Sequence, residues 1–263
     1  MKLTNIIISC GVVISASILA VSCVKDKGKE VALESTSFNN SSFVQVYNAA
    51  LGSSRNYVYV DGAPINGAAL AYGGSLPAST PANFAIVSGL KAFLIRDTLA
   101  ATTQPALSLA INLNPATNYT LFMYDTVNSV KNKLVVNNII VPADTTSRIR
   151  FANFAYSPFP ITAVDVFSTR LATNIFTNVN VTDVTGYIAY DSRRSDTLYL
   201  RPTGTATNIL NNNGTVAAPN YQPLQIIIAP VRKRSYTVVL RGSFRTDLTS
   251  STTSRTLSFV PSN

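Results

Sequence analysis

Short runs of β-branched and aromatic residues, each ended by turn residues, recur along almost the whole of this 263-residue chain. Phe43-Val44-Gln45-Val46-Tyr47 alternates apolar and polar side chains, and Tyr57-Val58-Tyr59-Val60 is stopped by the turn pair Asp61-Gly62. Phe93-Leu94-Ile95, Tyr119-Thr120-Leu121-Phe122-Met123-Tyr124 and Leu134-Val135-Val136 follow, with Gly, Pro, Asn and Asp between them. A strand turns successive side chains to opposite faces, so such runs fit strands that bury one face. Short strands at regular spacing predict a sandwich or a barrel. No stretch carries a sustained 3.6-residue apolar stripe with caps, so helices should be few.

The chain also repeats itself. Val44-Gln45-Val46-Tyr47-Asn48-Ala49 answers to Arg150-Phe151-Ala152-Asn153 and its flanks, Tyr57-Val58-Tyr59-Val60 to Ala163-Val164-Asp165-Val166, and Phe93-Leu94-Ile95-Arg96 to Leu198-Tyr199-Leu200-Arg201. The offset stays near about 100 residues, the size of an immunoglobulin-like domain. Asn118-Tyr119-Thr120-Leu121 then answers to Ser235-Tyr236-Thr237-Val238, after an Asn-rich insertion at 208–220 expected to be a loop. The expected fold is all-β: two tandem immunoglobulin-like β-sandwich domains, residues 42–143 and 144–263, joined near Val141-Pro142-Ala143-Asp144-Thr145-Thr146.

The N-terminus has a signal-peptide layout, with a basic start at Lys2, an apolar centre over 6–20, and small residues before Cys23. Leu19-Ala20-Val21-Ser22-Cys23 resembles the lipobox of bacterial lipoproteins. That resemblance implies cleavage after residue 22 and a lipid on Cys23. An ordinary signal peptide or a membrane anchor is the competing reading, although Ser9, Ser15 and Ser17 interrupt an apolar stretch shorter than the roughly 20 residues a span needs. Residues 23–41 are polar and aperiodic and read as a flexible tether. About 18 such residues reach roughly 20–25 Å. Lys25-Asp26, just after Cys23, is similar to surface-export signals of Bacteroidetes lipoproteins. An opening V-x-V-x-N-A or R-F-x-N, a V-x-V strand and a late Y-T-V strand resemble the family called domain of unknown function 4397. That family implies an exported, often lipidated protein with two such repeats, and brings no catalytic residues. The second copy departs from the first, with Phe167-Ser168-Thr169 in place of Asp61-Gly62.

Composition removes several chemistries. The chain has no His, so catalysis through an imidazole base is excluded and the usual zinc, copper and non-haem iron sites lose their main ligand. There is no Trp, so ring stacking on sugars must fall to Tyr or Phe. Cys10 lies within the signal, which leaves Cys23 alone and makes an intrachain disulfide impossible after cleavage. Glu30 and Glu34 are the only glutamates and precede the first strand-like run. Asp61, Asp97, Asp125, Asp144 and Asp191 fall where turns are expected, which is ordinary backbone-bonding chemistry for Asp. No D-x-D-x-D-G calcium loop occurs, and no metal site or cofactor is expected.

The net charge is +9, unevenly spread. Residues 38–147 hold five basic and four acidic side chains, residues 148–263 twelve and five. Arg193-Arg194 and Arg232-Lys233-Arg234 sit in expected turns, and turn tips at one end of a sandwich can meet to form an anion contact. A solvated basic surface that blocks edge pairing is the plainer reading of the same residues. Export argues against nucleic acid and toward lipid headgroups, acidic polysaccharide or another envelope protein. Asp-Thr followed by a small or apolar residue occurs at Thr98, Thr126, Thr145 and Thr197, which resembles the O-glycosylation sequon of Bacteroidetes exported proteins. Ser88-Gly89-Leu90-Lys91 matches S-x-x-K, but Gly89 and the strand-like run after it predict a turn rather than the helical turn that chemistry needs. These features lead to an expectation of a non-catalytic outer-membrane lipoprotein exposed at the cell surface, with the periplasmic face as the alternative, that serves adhesion or envelope interaction. The alternative is a glycan-binding lipoprotein using Tyr156, Phe159 or Tyr221.

Overall fold

The computed structural model describes residues Phe38–Asn263, which form one compact unit. The signal, Cys23 and the tether up to residue 37 lie outside the described residues. The one helical element among the described residues is a 3-10 turn at Phe38–Asn40, and everything else regular is β. The first repeat contains β1 (Ser41–Asn48), β2 (Asn56–Val60), β3 (Ala63–Pro64), β4 (Ser75–Leu76), β5 (Phe84–Val87), β6 (Gly89–Asp97), β7 (Leu107–Leu113), β8 (Asn118–Tyr124) and β9 (Lys131–Asn137). The second contains β10 (Ser147–Tyr156), β11 (Val164–Ser168), β12 (Thr173–Val179), β13 (Ile188–Tyr190), β14 (Asp196–Pro202), β15 (Leu210–Asn212), β16 (Tyr221–Pro223), β17 (Gln225–Ile228), β18 (Ser235–Ser243) and β19 (Thr256–Pro261). The break between β9 and β10 spans the expected junction.

Each repeat is a two-sheet sandwich. In the first, β4-β1-β8-β9, with β5 also paired to β1, faces β3-β2-β6-β7; in the second, β13-β10-β18-β19 faces β12-β11-β14-β17. In both, the opening strand runs parallel to the late Tyr-Thr strand, with Val44 opposite Tyr119 and Ile149 opposite Tyr236. This register puts Val46 with Phe151 and Asn48 with Asn153 in the repeat alignment. It also moves one expected match: Val58 pairs Ile95 and Val166 pairs Leu200, so Val58 corresponds to Val166 rather than to Val164. The register shifts within β11–β12 show where the second copy absorbs the difference.

Alternation along the four central strands sorts their side chains between two environments. Val44, Val46, Tyr119, Leu121 and Met123 enter the first core, and Ile149, Phe151, Tyr236, Val238 and Leu240 the second. The opposite faces do not meet water. Tyr47, Phe122, Ala152, Phe154 and Val239 form a third buried cluster, in which the two sandwiches pack on each other. The polar alternants on those faces are buried with them. Gln45 Nε2–H donates to the Pro261 carbonyl at 2.8 Å, and Asn137 Nδ2–H to Thr120 Oγ1 at 2.8 Å. Arg150 donates from Nε to Thr237 Oγ1 at 2.9 Å and from Nη2 to Thr120 Oγ1 at 3.3 Å, so it spans the two repeats. Gly73 admits a further lock: with φ +76°, its missing Cβ would stand 2.5 Å from the Arg241 guanidinium carbon, which lies 4.5 Å from the Tyr72 ring centre.

Both late strands carry the same corner. Tyr119 Oη accepts the Asn114 N–H at 2.9 Å and Tyr236 Oη accepts the Val231 N–H at 3.1 Å, each reaching five residues back. The phenol thus fixes the turn before its strand. Tyr236→Phe leaves that N–H without its partner and should cost about 1–2 kcal/mol in urea unfolding, with loosening confined to the 229–234 turn in amide exchange.

The 208–220 insertion is not simply a loop: Leu210–Asn212 pairs antiparallel with Tyr221–Pro223. Its amides replace an apolar pattern. Asn212 Oδ1 accepts the Gly214 and Asn220 N–H groups, and Asn211 Oδ1 accepts Arg255 Nε–H at 2.9 Å. A hairpin held by side-chain amides lacks the alternation by which strands are read from sequence.

Candidate functional site

The basic residues singled out in the sequence come together at one end of the second sandwich. Arg193 and Arg194 lie in the turn between β13 and β14, and Arg232, Lys233 and Arg234 in the turn between β17 and β18. Both turns dock on the junction segment. Ser192 Oγ–H donates to the Thr145 carbonyl at 2.5 Å, and the Lys233 N–H to the Thr146 carbonyl at 2.8 Å. The Arg148 N–H completes the seam on the Arg234 carbonyl at 2.8 Å. The Tyr236 corner pins the second turn from below, and Lys233 takes the left-handed conformation at φ 59°.

The two turns differ in how their charges are held. Asp191 accepts the Arg193 N–H at 3.0 Å and Arg193 Nε–H at 3.1 Å, and lies 3.4 Å from an Arg170 nitrogen. The Arg193 N–H and guanidinium keep its carboxyl below the usual range. Arg194, Arg232 and Lys233 are exposed and, among the described residues, make no ion pair. Asp144 is the other carboxylate on this end, and it is turned to the Thr146 hydroxyl and N–H. The surface is therefore net cationic, on a frame of backbone hydrogen bonds that fixes where the charges stand.

Beneath it lies a buried carboxylate. Asp196, 4% exposed, accepts the Ser168 and Tyr190 hydroxyls, the Thr169 hydroxyl at 2.9 Å and the Arg170 N–H at 2.9 Å. Burial works against its charge, but the four donors outweigh it and hold the carboxyl below its ordinary value. Asp165 is buried in the same way in β11, accepting from Asn174, Asn178, Thr203 and Gly204. These two carboxylates tie loops to strands, a use that the turn-like Asp positions in the sequence did not reveal.

The other singled-out residues are dispersed. Thr98 and Thr145 are exposed, while Thr126 and Thr197 are half-buried. Ser88 Oγ meets Ser42 Oγ, whereas Lys91 Nζ meets Asp61, so the S-x-x-K residues do not face each other. Phe159 is 61% and Tyr221 54% exposed, with the Arg245 guanidinium 5.1 Å from the Phe159 ring centre, and Tyr156 is half-buried. Among the described residues, no group of three or more Cys, Asp or Glu could hold a metal ion, and no helix is long and apolar enough to cross a membrane.

Sequence reasoning missed Arg148, Arg150 and Tyr187. The signal was present: Arg148-Ile149-Arg150-Phe151 places two cations on one face of an otherwise apolar strand. Comparison of the chain with protein-family models and with curated proteins found no match.

Proposed function

We propose that this protein is a non-catalytic, lipid-anchored module of the bacterial cell envelope, displayed at the surface, whose basic end contacts an acidic polymer or partner surface. The observation that carries this reading is the convergence of two basic turns on one junction segment, with Arg194, Arg232 and Lys233 exposed and free of ion pairs among the described residues. The lipobox-like Leu19-Ala20-Val21-Ser22-Cys23 supports the anchor, and the paired Tyr119 and Tyr236 corners support an immunoglobulin-like form of the sandwiches. Exposed cations on a fixed frame attract polyanions at long range, and salt weakens that attraction. Changing Arg194, Arg232 and Lys233 together to Ala should weaken binding to an acidic polysaccharide at least tenfold at low salt. Stability should change by less than about 0.5 kcal/mol, because nothing buried is touched. Binding that survives the triple change, or that ignores salt, overturns the reading. Protease shaving of intact cells tests the display: loss of the protein while a periplasmic control survives is the expected outcome.

A second reading, glycan capture by ring stacking, is favoured by the exposure of Phe159 and Tyr221. It expects binding of neutral sugars that is lost when these rings become Ala and is insensitive to salt.

A further inference from the structure

A cleft of about 470 Å³ opens where the two sandwiches meet, between β9 of the first repeat and the segment 184–187 of the second. Arg148, Arg150 and Tyr187 line it together with Val135, Val136 and Val184. Arg150 is the largest fully buried side chain among the described residues, at 2% exposure. Its partners are neutral: two threonine hydroxyls, and the Tyr187 ring with its centre 4.6 Å from the guanidinium carbon. Among the described residues no carboxylate pairs with it. A cation removed from water is costly unless an anion and hydrogen bonds compensate it.

A second, independent observation falls in the same cleft. Arg148 Nε and Tyr187 Oη are buried and, among the described residues, have no hydrogen-bond partner. Buried donors of this kind mark places where polar chemistry is incomplete within the protein itself.

The repeat supplies an internal control. The strand register aligns Val135 and Val136 with Val260 and Pro261, which line a cleft of similar volume against the first repeat's 66–78 segment. By strand register the first repeat has Gln45, satisfied by the Pro261 carbonyl, at the position of Arg150, and Phe43 at that of Arg148. The residues that line this second cleft include no cation, and Gln45 and Phe43 are not among them. Packing does not require arginine at this position, since the first repeat manages with a neutral amide.

We propose that the cleft at Arg148, Arg150 and Tyr187 binds the carboxylate of a small organic acid, with the valine walls taking its carbon frame. Guanidinium groups match a carboxylate's two oxygens, and the phenol adds a third donor. The cleft volume suits a sugar acid, within the usual range of small-molecule sites. The cleft uses the side chain of Arg148, whereas the basic turns meet only its N–H, so the test does not depend on Arg194, Arg232 or Lys233.

The test is calorimetric titration of the purified protein with glucuronate, with glucose and inorganic sulfate as comparison probes. Glucuronate should saturate one site and raise Tm in a dose-dependent way, and glucose should do neither. Arg150→Gln copies the residue the first repeat already uses and should weaken glucuronate at least tenfold. Arg148→Gln and Tyr187→Phe should each weaken it several-fold, and they decide the matter should R150Q fail to fold. No saturable glucuronate binding overturns the proposal, as does unchanged binding in the variants or sulfate binding more tightly than glucuronate.

Discussion

Phe154→Ala will cost the protein about 3–5 kcal/mol and divide a single unfolding transition into two. Phe154 is 1% exposed and projects from β10 into the cluster between the sandwiches. Its ring stacks on Phe122 with centres 4.6 Å apart and lies 5.3 Å from the Tyr124 ring centre. Truncation removes the transfer energy of the ring and leaves a void that two β-sheets, each braced by its own core, cannot close. Those cores have no share in the lost contacts. Each sandwich should keep its fold while the coupling between them drops. Urea unfolding followed by far-ultraviolet circular dichroism and by a probe in one repeat should coincide in the wild type and separate in the variant. One transition, shifted by less than about 1 kcal/mol, would show that the third cluster is not what joins the repeats.

Asp196→Ala should cost about 3 kcal/mol and remove part of the protein's pH dependence. The carboxylate is the common acceptor for the Ser168, Thr169 and Tyr190 hydroxyls and the Arg170 N–H, and without it the buried Ser168 and Tyr190 hydroxyls can donate only across their 3.1 Å contact with each other. Its folded pKa is lowered, so its contribution is present above the unfolded value of about 3.9 and is lost as pH falls through the folded one. Tyr190 works at the other limit. Burial, then its hydrogen bond to Asp196, pushes its pKa up to about 12. The stability it gives is complete below the unfolded value of about 10 and fades as pH rises from there to about 12. Wild-type unfolding free energy should therefore fall below about pH 4 and again between about pH 10 and 12, and the variant should show shallower slopes at both ends. Equal slopes in the two proteins would mean that the network does not couple charge to folding.

The strands were legible because they rest on local rules. Alternation in Phe43-Val44-Gln45-Val46-Tyr47, the stop at Asp61-Gly62 and the Pro and Asp of the junction each act within a few residues. The two basic turns were legible as turns, and their shared end of the sandwich follows from strand order once the repeat is known. The β15–β16 hairpin was not legible, because Asn211 and Asn212 hold it through amide bonds that leave no apolar period.

Strand formation, its recurrence in two similar sets, and the lack of His and Cys across residues 38–263 can all be read from the order of the amino acids. What the second face of the central strands does depends on how the two sandwiches pack. Gln45, Thr120, Arg150 and Thr237 occupy the polar beats of their strands, and in one sandwich standing alone those beats would face water. Stacking of the two sandwiches buries all four, places Arg150 between two threonine hydroxyls, and opens the cleft beside it. The period of a strand says which side chains share a face, but whether that face meets solvent or another sheet depends on residues about a hundred positions away.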